Sequence, residues 1–384
     1  MDKKTVLIDI TPTMPEPANG VVGPYVSGIG QAAIAMIDAL NGINDLPYNI
    51  ELYVSTFRGR NYDFSRWKYK GHRMVIPHFI TSRYAGVEPY IRSKMLKYDL
   101  FHVVTNHTDV LKSEPFIATI NDCTDMDRAN SMDVSEQRRV ELQGKYQLMT
   151  SASRKIVTIS EFSKTEILKY FNVNPDKVIV NYLGVDRKKF KILPKVQVAD
   201  VLAKHGINQP YFFACSCSRP RKNLVTALRA FKKFLSYNPE HIFVAAWGNP
   251  FPKIKEEFAK EIDDGKIKFL PFLTDEEIVS LYNGASMSVY VSRKEGFGLP
   301  ILESFACGTP SMTCRNSSLP EVGQDAAIYV GEDNVDEMVD VMRMFEGSSY
   351  DMESFKHKAE RVMNQFTWEN TAKRCLGIYD KCLG

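Results

Sequence analysis

The stretch Ser292-Arg-Lys-Glu-Gly-Phe-Gly-Leu-Pro-Ile-Leu-Glu-Ser-Phe-Ala-Cys-Gly-Thr-Pro310 concentrates residue types that can hold an anion. The apolar residues ahead of Ser292 read as a strand. The Gly-rich turn behind it leads to Pro300, which suits a first helical position because no amide hydrogen is needed there. Gly308 and Pro310 then stop the helix. Backbone amides of Gly296, Phe297, Gly298 and Leu299 are therefore expected at a helix N-terminus, where unpaired donors and the helix dipole favour an anion such as a diphosphate. Glu303, one turn into that helix, is a candidate acceptor for ribose hydroxyls, and Glu295, just before the turn, for sugar hydroxyls. Either glutamate alone would read as an ordinary surface carboxylate. Their shared context makes them candidates.

A second group is basic. Arg219 and Lys222 fall in the turn Ser218-Arg-Pro-Arg-Lys-Asn223, after the apolar run Tyr211 to Cys217. That is the carboxyl end of a strand, where open α/β sheets bind ligands. Two cations there would neutralise a diphosphate; in isolation they would read as solvated loop charges. Near the N-terminus, Gly28-x-Gly30-x-x-Ala33 satisfies a dinucleotide fingerprint. Such a fingerprint comes directly after its strand, yet Pro12, Pro15, Pro17 and Pro24 intervene after Ile10, and no acid closes the strand ending at Thr56. A nicotinamide cofactor is not expected, and a plain helix start is the minimal reading. Asp125-x-Asp127 formally matches an Asp-x-Asp metal site, but such a triplet arises by chance in acidic loops. His102 and His107 have no further ligand at metal spacing, so no metal is expected.

Glu295 and Glu303, with seven residues between them around Gly-Phe-Gly-Leu-Pro, resemble the Glu-x7-Glu signature of glycosyltransferase family 4. Cys307-Gly-Thr-Pro310, Ser317-Ser-Leu-Pro-Glu-Val322 and Asp325-Ala-Ala327 look like the segments downstream of that signature in bacterial surface polysaccharide members. Asn181 to Asp186 with Phe190 is similar to the family's Asn-Gly-Val-Asp segment, with extra residues, and Ser160-Glu-Phe-Ser163 to the start of the preceding helix. The likeness is close from about Arg154 to Val330 and looser before that.

This resemblance implies a GT-B fold: α/β, with two Rossmann-like domains facing each other across a cleft. It implies a retaining, metal-independent glycosyltransferase without a cofactor. The enzyme would move a mannose- or glucose-type hexose from a GDP- or UDP-linked donor to a saccharide or lipid-linked saccharide acceptor in cell-surface polysaccharide assembly. Arg219, Lys222 and the amides of Gly296, Phe297, Gly298 and Leu299 would hold the donor diphosphate, Glu295 the sugar and Glu303 the ribose. The segment around Gly28 resembles a Gly-Gly-Ile-Gly loop that brings the Gly30 amide near the donor phosphate. Asn121-Asp122 stands where many relatives carry His-Asp, which puts Asp122 among the catalytic residues and leaves Asn121 to offer an amide to the donor. Two other readings on this fold are a sugar phosphorylase or epimerase, which keeps the phosphate-binding turn, and a non-catalytic partner subunit, favoured only by the missing histidine at Asn121.

Positioning these residues requires strands and helices in alternation, and both halves show it. Strands are expected at Thr5 to Ile10, Ile50 to Thr56, Met74 to Pro77, Leu100 to Thr105, Phe116 to Ile120 and Lys155 to Ile159. In the second half they are expected at Tyr211 to Cys217, His241 to Trp247, Lys266 to Phe272 and Met287 to Val291. Helices are expected over Gln31 to Leu40, from a capping box at Ser163 to Glu166, and from another at Thr274 to Glu277. Leu224, Ala227, Leu228, Phe231 and Leu235 recur at helical spacing. Residues 1–190 read as an acceptor-binding domain, 191–367 as a nucleotide-sugar-binding domain, with Val180 to Gln197 as linker. By the resemblance, a C-terminal helix over about 368–384 packs back on the first domain.

At 384 residues the chain exceeds what one hydrophobic core usually holds. Apolar content of 44% and charged content of 25% fit a soluble globular protein, and the short apolar run at the N-terminus is too brief for a secretory signal core. Seven cysteines without Cys-x-x-Cys spacing fit a reducing cytoplasm. A net charge of +3 implies no nucleic-acid partner. Between Arg58 and Lys97, however, ten basic residues face only Asp63 and Glu88, with aromatics interleaved. Within residues 58–97 this reads either as a contact with anionic lipid headgroups or a phosphate-bearing acceptor, or as a solvated basic face; only the resemblance implies an acceptor at the inner face of the cytoplasmic membrane.

Overall fold

Each expected apolar run forms a strand over at least part of its length, since most are rich in β-branched and aromatic side chains that suit a buried pleated surface. The computed structural model describes residues 2–14, 26–56, 62–75, 86–105, 109–129, 134–215, 219–246, 252–271, 273–346 and 350–384. His107 and much of the basic stretch, including Arg58, Arg60 and Arg83, lie outside them.

The chain divides into two compact units, one of Met1–Met126, Val134–Leu183 and Trp368–Gly384, the other of Asp127–Asp133 and Gly184–Thr367. The first holds a parallel sheet of β1 (Thr5–Asp9), β2 (Asn49–Thr56), β3 (Lys70–Val75), β4 (Leu100–Val103), β5 (Phe116–Thr119), β6 (Lys155–Thr158) and β7 (Val178–Val180) in the order β3-β2-β1-β4-β5-β6-β7. Val6 pairs with Ile50 on one side and Leu100 on the other. One face packs on the helices Gly28–Asn41 and Trp368–Leu383, through Ala33, Ile37, Leu40, Ala372, Ile378 and Tyr379. The other packs on Glu136–Ala152 and Glu161–Tyr170, through Leu142, Tyr146, Met149 and Ile167. Each large side chain so buried contributes about 1.5–3 kcal/mol.

The second unit repeats the plan with β8 (Tyr211–Ala214), β9 (Ile242–Ala246), β10 (Ile267–Leu270), β11 (Met287–Tyr290), β12 (Ser311–Cys314) and β13 (Ile328–Val330), all parallel in the order β10-β9-β8-β11-β12-β13. In both sheets the winding reverses, between β1 and β4 and between β8 and β11. The carboxyl ends of strands at such a reversal form the crevice where ligands bind.

Local differences from expectation have local causes. The helix expected from Ser163 starts at Glu161, because the Ser160 hydroxyl accepts the Ser163 amide at 2.9 Å and so ends the chain's extended run earlier. Thr274 and Glu277 do form a reciprocal capping box. The third strand begins at Lys70, ahead of the expected Met74, since Glu51 to Thr56 offers it a complete ladder.

Several residues of the basic stretch are engaged within the first unit itself. Arg92 is fully buried, with Glu88 at 2.5 Å and Glu114 at 2.9 Å, and its guanidinium lies 4.0 Å from the Phe101 ring centroid. It is thus a structural cation. Lys68 donates to the carbonyls of Asn41 and Ile43, and Arg66 pairs with Asp38. Tyr90 and Met95 do face outward on the helix Val87–Met95, 57% and 71% exposed, beside exposed Lys94 and Lys97. No helix among the described residues is long and apolar enough to cross a membrane.

His102 is buried between Tyr379 (2.7 Å from Nδ1) and Thr119 (3.1 Å from Nε2), and burial lowers it to about 4. It is therefore neutral in the folded protein and protonates first in the unfolded chain. Unfolding free energy is expected to drop by about 3 kcal/mol as pH falls from 6.5 to 4. Denaturant titrations of wild type and His102→Gln across that range check this: the variant should lose that component of the slope.

Candidate active site

The second unit's site is built where β8 and β11 end side by side, with Met287 opposite Phe212. After β8 the chain makes a tight turn, Pro220–Lys222, closed by the Lys222 amide on the Arg219 carbonyl at 2.9 Å. Asn223 comes next in the left-handed region, φ 59°, which Asn tolerates better than most residues. Its side-chain amide donates to the carbonyls of Val291 (3.1 Å) and Glu332 (2.7 Å), and its carbonyl oxygen accepts the Thr226 hydroxyl at 2.7 Å. The Arg293 amide donates to the Arg221 carbonyl at 2.8 Å. The turn is thus fastened to the residues leaving β11, and the helix Leu224–Phe234 continues from it with Leu224, Ala227, Leu228 and Phe231 buried as expected. Leu235, the last expected core position, caps that helix only partly buried, and Phe234 takes the core place.

Glu295 stands where the two segments converge. Lys222 Nζ donates to its Oε1 and Arg221 Nη1 to its Oε2, both at 2.7 Å. Lys222 also donates to the Tyr290 hydroxyl at 3.0 Å and lies 4.9 Å from that ring's centroid. The Glu295 side chain is only 7% exposed. Burial by itself would raise its carboxyl, but the charges of Lys222 and Arg221 and their hydrogen bonds outweigh it and hold Glu295 down to about 2. It is a carboxylate at any physiological pH.

The Gly-rich turn is held from below. Ser317 accepts the Glu295 amide at 3.1 Å, and the buried Ser318 hydroxyl lies 2.9 Å from the Glu295 carbonyl and 2.6 Å from that of Phe297. Phe297 turns inward onto Phe366, so its ring anchors the turn. Gly298 caps the helix Leu299–Ala306 at φ 124°, a conformation that needs glycine. Pro300 is one position later than expected, second in the helix, where an amide is equally dispensable. Glu303 lies one turn along, partly buried. Burial raises its carboxyl to about 7 against the lowering influence of Lys189 and Lys222.

The structure therefore brings Lys222, Glu295 and the Gly296–Leu299 turn together, with Glu303 on the helix behind. The second cation on Glu295 is Arg221, which sequence spacing did not single out. Arg219 is exposed and serves as the residue capping the turn. Tyr290 carries no motif, and Ser318 falls in the segment Ser317 to Val322 without a role assigned to it there; the meeting of strand ends reveals both.

In the first unit Gly30 lies in the opening turn of Gly28–Asn41, a helix that starts three residues ahead of the expected Gln31. The Gly30 amide donates to the Ser27 hydroxyl at 3.3 Å as part of the helix cap. Glycine is required there for space, because a Cβ would stand 2.2 Å from the Pro12 carbonyl oxygen. Asp122 accepts the Thr124 amide at 2.9 Å within its own turn after β5, and the Asn121 carbonyl accepts the Thr158 hydroxyl at 3.3 Å. Both side chains remain partly accessible.

Two parallel doubly wound sheets, one ending in a cation-lined Gly-rich turn, define a protein of the GT-B fold. Sucrose-phosphate synthase from Thermosynechococcus elongatus is similar in structure, with a TM-score of 0.72 at 15% identity over 98% of each chain. So is Anabaena Alr3699/HepE in complex with UDP-glucose, with a TM-score of 0.70 at 14% identity, covering 98% of this chain and 99% of that one. Residues 200–362 match the family model of glycosyl transferases group 1. Escherichia coli O-antigen chain mannosyltransferase B is 28% identical over 235 residues, 59% of this chain and 61% of the relative, so the match spans less than two thirds of that relative's length.

Asn223 separates two contributions to the site's rigidity. Asn223→Gly keeps the left-handed turn and loses the side-chain bonds, at a cost of about 1–3 kcal/mol. Asn223→Ala loses both and is expected to cost about 1–2 kcal/mol more. Chemical denaturation should rank wild type above Gly above Ala.

Proposed function

We propose that the chain is a retaining, metal-independent glycosyltransferase that moves a hexose, mannose foremost, from a GDP- or UDP-linked donor to a saccharide or lipid-linked saccharide acceptor of a cell-surface polysaccharide. The observation that carries this reading is the Glu295 carboxylate, held by Arg221 and Lys222 immediately ahead of the Gly296–Leu299 turn. A nucleotide-sugar presents the matching groups in the matching order: ribose hydroxyls for Glu303, a diphosphate for the cations and amides, and sugar hydroxyls for Glu295. The group 1 family match over residues 200–362 and the O-antigen mannosyltransferase relative support it.

In the reaction so read, the bond between the anomeric carbon and the phosphate oxygen breaks, and its electron pair goes to the diphosphate. Lys222, Arg219 and the turn amides stabilise that charge as it develops, which is where preorganised electrostatics contribute most. The acceptor hydroxyl attacks from the face the phosphate leaves, and its proton passes to the departing phosphate oxygen. Configuration is retained without a protein nucleophile, and these cations supply the charge that a divalent ion supplies elsewhere. Asp122 and Asn121, at the end of β5, act on the sugar's side of the reaction. The outward Tyr90, Lys94, Met95 and Lys97 give the first unit a face suited to the cytoplasmic side of an anionic membrane carrying lipid-linked acceptors.

Thermal unfolding with GDP, UDP, ADP and dTDP, with and without Mg2+, tests the donor site: one nucleotide should raise the melting temperature equally in both conditions. Nuclear magnetic resonance of the product should then show the donor's anomeric configuration; inversion would refute the mechanism. Glu295→Ala should still bind that nucleotide while turnover falls about 100-fold or more. Ionised Glu303 accepts ribose hydroxyls in charge-assisted bonds that its protonated form cannot match, so nucleotide-sugar affinity is expected to fall below pH 7 by up to about tenfold per pH unit. Calorimetric titrations at pH 8 and pH 6 check this, and Glu303→Gln should abolish the dependence.

A further inference from the structure

The two hydrogen bonds on Glu295 use one oxygen each, and they come from the cations that a diphosphate would seek. Both partners are largely enclosed, the Arg221 side chain 19% exposed and that of Lys222 14%. Each oxygen already carries one charge-assisted hydrogen bond, which leaves it a single lone pair for a sugar hydroxyl. A diphosphate carries more charge than a carboxylate and presents several acceptor oxygens, so it competes for Lys222 and Arg221 with advantage. Once it draws them away, Glu295 is left as a buried anion beside another anion, which is costly unless new donors replace the cations. Sugar hydroxyls are such donors. A spent nucleoside diphosphate has none at that position.

We infer that Arg221 is a donor-binding residue in its own right, and that Glu295 acts as a displaceable counter-anion to Arg221 and Lys222, so that the site discriminates the intact nucleotide-sugar from the nucleoside diphosphate it leaves behind. This rests on the nucleotide-sugar reading above. Diphosphate binding frees Glu295 for the sugar in the same event, and loss of the sugar leaves Glu295 driving the product out by reclaiming its cations. Arg221 matters because it supplies a second cation, so that each carboxylate oxygen is held by its own partner. Its place in the turn is set by the Arg293 amide on its carbonyl at 2.8 Å, and its Nη1 also donates to the Lys294 carbonyl at 2.9 Å, so it reaches Glu295 without a search through rotamers.

Calorimetric titration of GDP and GDP-mannose, and of UDP and UDP-glucose, into wild type, Glu295→Gln, Arg221→Met, Arg221→Lys and the Glu295→Gln/Arg221→Met double variant provides the test. For whichever pair binds wild type, Glu295→Gln should bind the nucleoside diphosphate about tenfold more tightly, while the nucleotide-sugar gains nothing. The ratio of the two dissociation constants therefore shrinks. The double variant should lose the gain, and Arg221→Lys should retain more diphosphate affinity than Arg221→Met. A role confined to folding would change the melting temperature and leave the ratio alone. A folded Glu295→Gln with an unchanged ratio, or with weaker diphosphate binding, overturns the inference and leaves the nucleotide-sugar reading standing. Failure of wild type to bind any of the four ligands overturns that reading and the inference with it.

Discussion

Burying a carboxylate is tolerable only when its lost hydration is replaced, and the loops at the carboxyl edge of the second sheet are arranged around that requirement at Glu295. Two cations meet its oxygens at 2.7 Å, and both come from a single turn. That turn keeps its shape through Asn223, whose side chain reaches the backbone leaving β11 and the carbonyl of Glu332 beyond β13. The opposite wall, Ser317 and Ser318, grips the backbone on both sides of Gly296. Loss of one partner would leave charge in a place with little water, so the ion pairs couple the segments after β8 and β11, and the serine hydroxyls after β12 fasten the same backbone.

The adjacency that permits this is topological. β8 and β11 are neighbours although two strands, β9 and β10, separate them in sequence. Winding outward from β8 in one direction and then returning to its other side leaves both loops over the same crevice. The first sheet reverses in the same way between β1 and β4, whose carboxyl ends border the corresponding crevice. Its interior is governed differently. Arg92 is held between Glu88 and Glu114 under the Phe101 ring, so a residue that composition assigns to a basic surface instead joins the helix Val87–Met95 to the body of its unit. The closing helix, Trp368–Leu383, buries Ile378 and Tyr379 on this sheet and presents the Tyr379 hydroxyl to His102.

Much of this was legible in the residue order because the underlying rules are local. Strand positions could be read from short apolar runs, the Thr274 cap from a threonine with a glutamate three residues on, and the Gly296–Leu299 turn from glycines and a proline that few other conformations accommodate. Glu295 and Glu303 were identifiable by their spacing around that turn. These features depend on backbone preference and near-neighbour hydrogen bonds, which the sequence determines by itself.

What the tertiary structure decided is which charges meet. Arg219 and Arg221 are indistinguishable by type and nearly so by position, yet Arg221 reaches Glu295 because the tight turn aims it at the segment after β11, 74 residues away in sequence. Gly30 reads in sequence as a choice made for its amide, and only the fold shows that the Pro12 carbonyl leaves no room there for a Cβ. The near-neutral carboxyl of Glu303 and the low one of Glu295 belong to identical side chains eight positions apart, both raised by burial, and differ in the cations and hydrogen bonds that face them. Electrostatic interactions act across space irrespective of chain order, so they are settled only when the strands have taken their places.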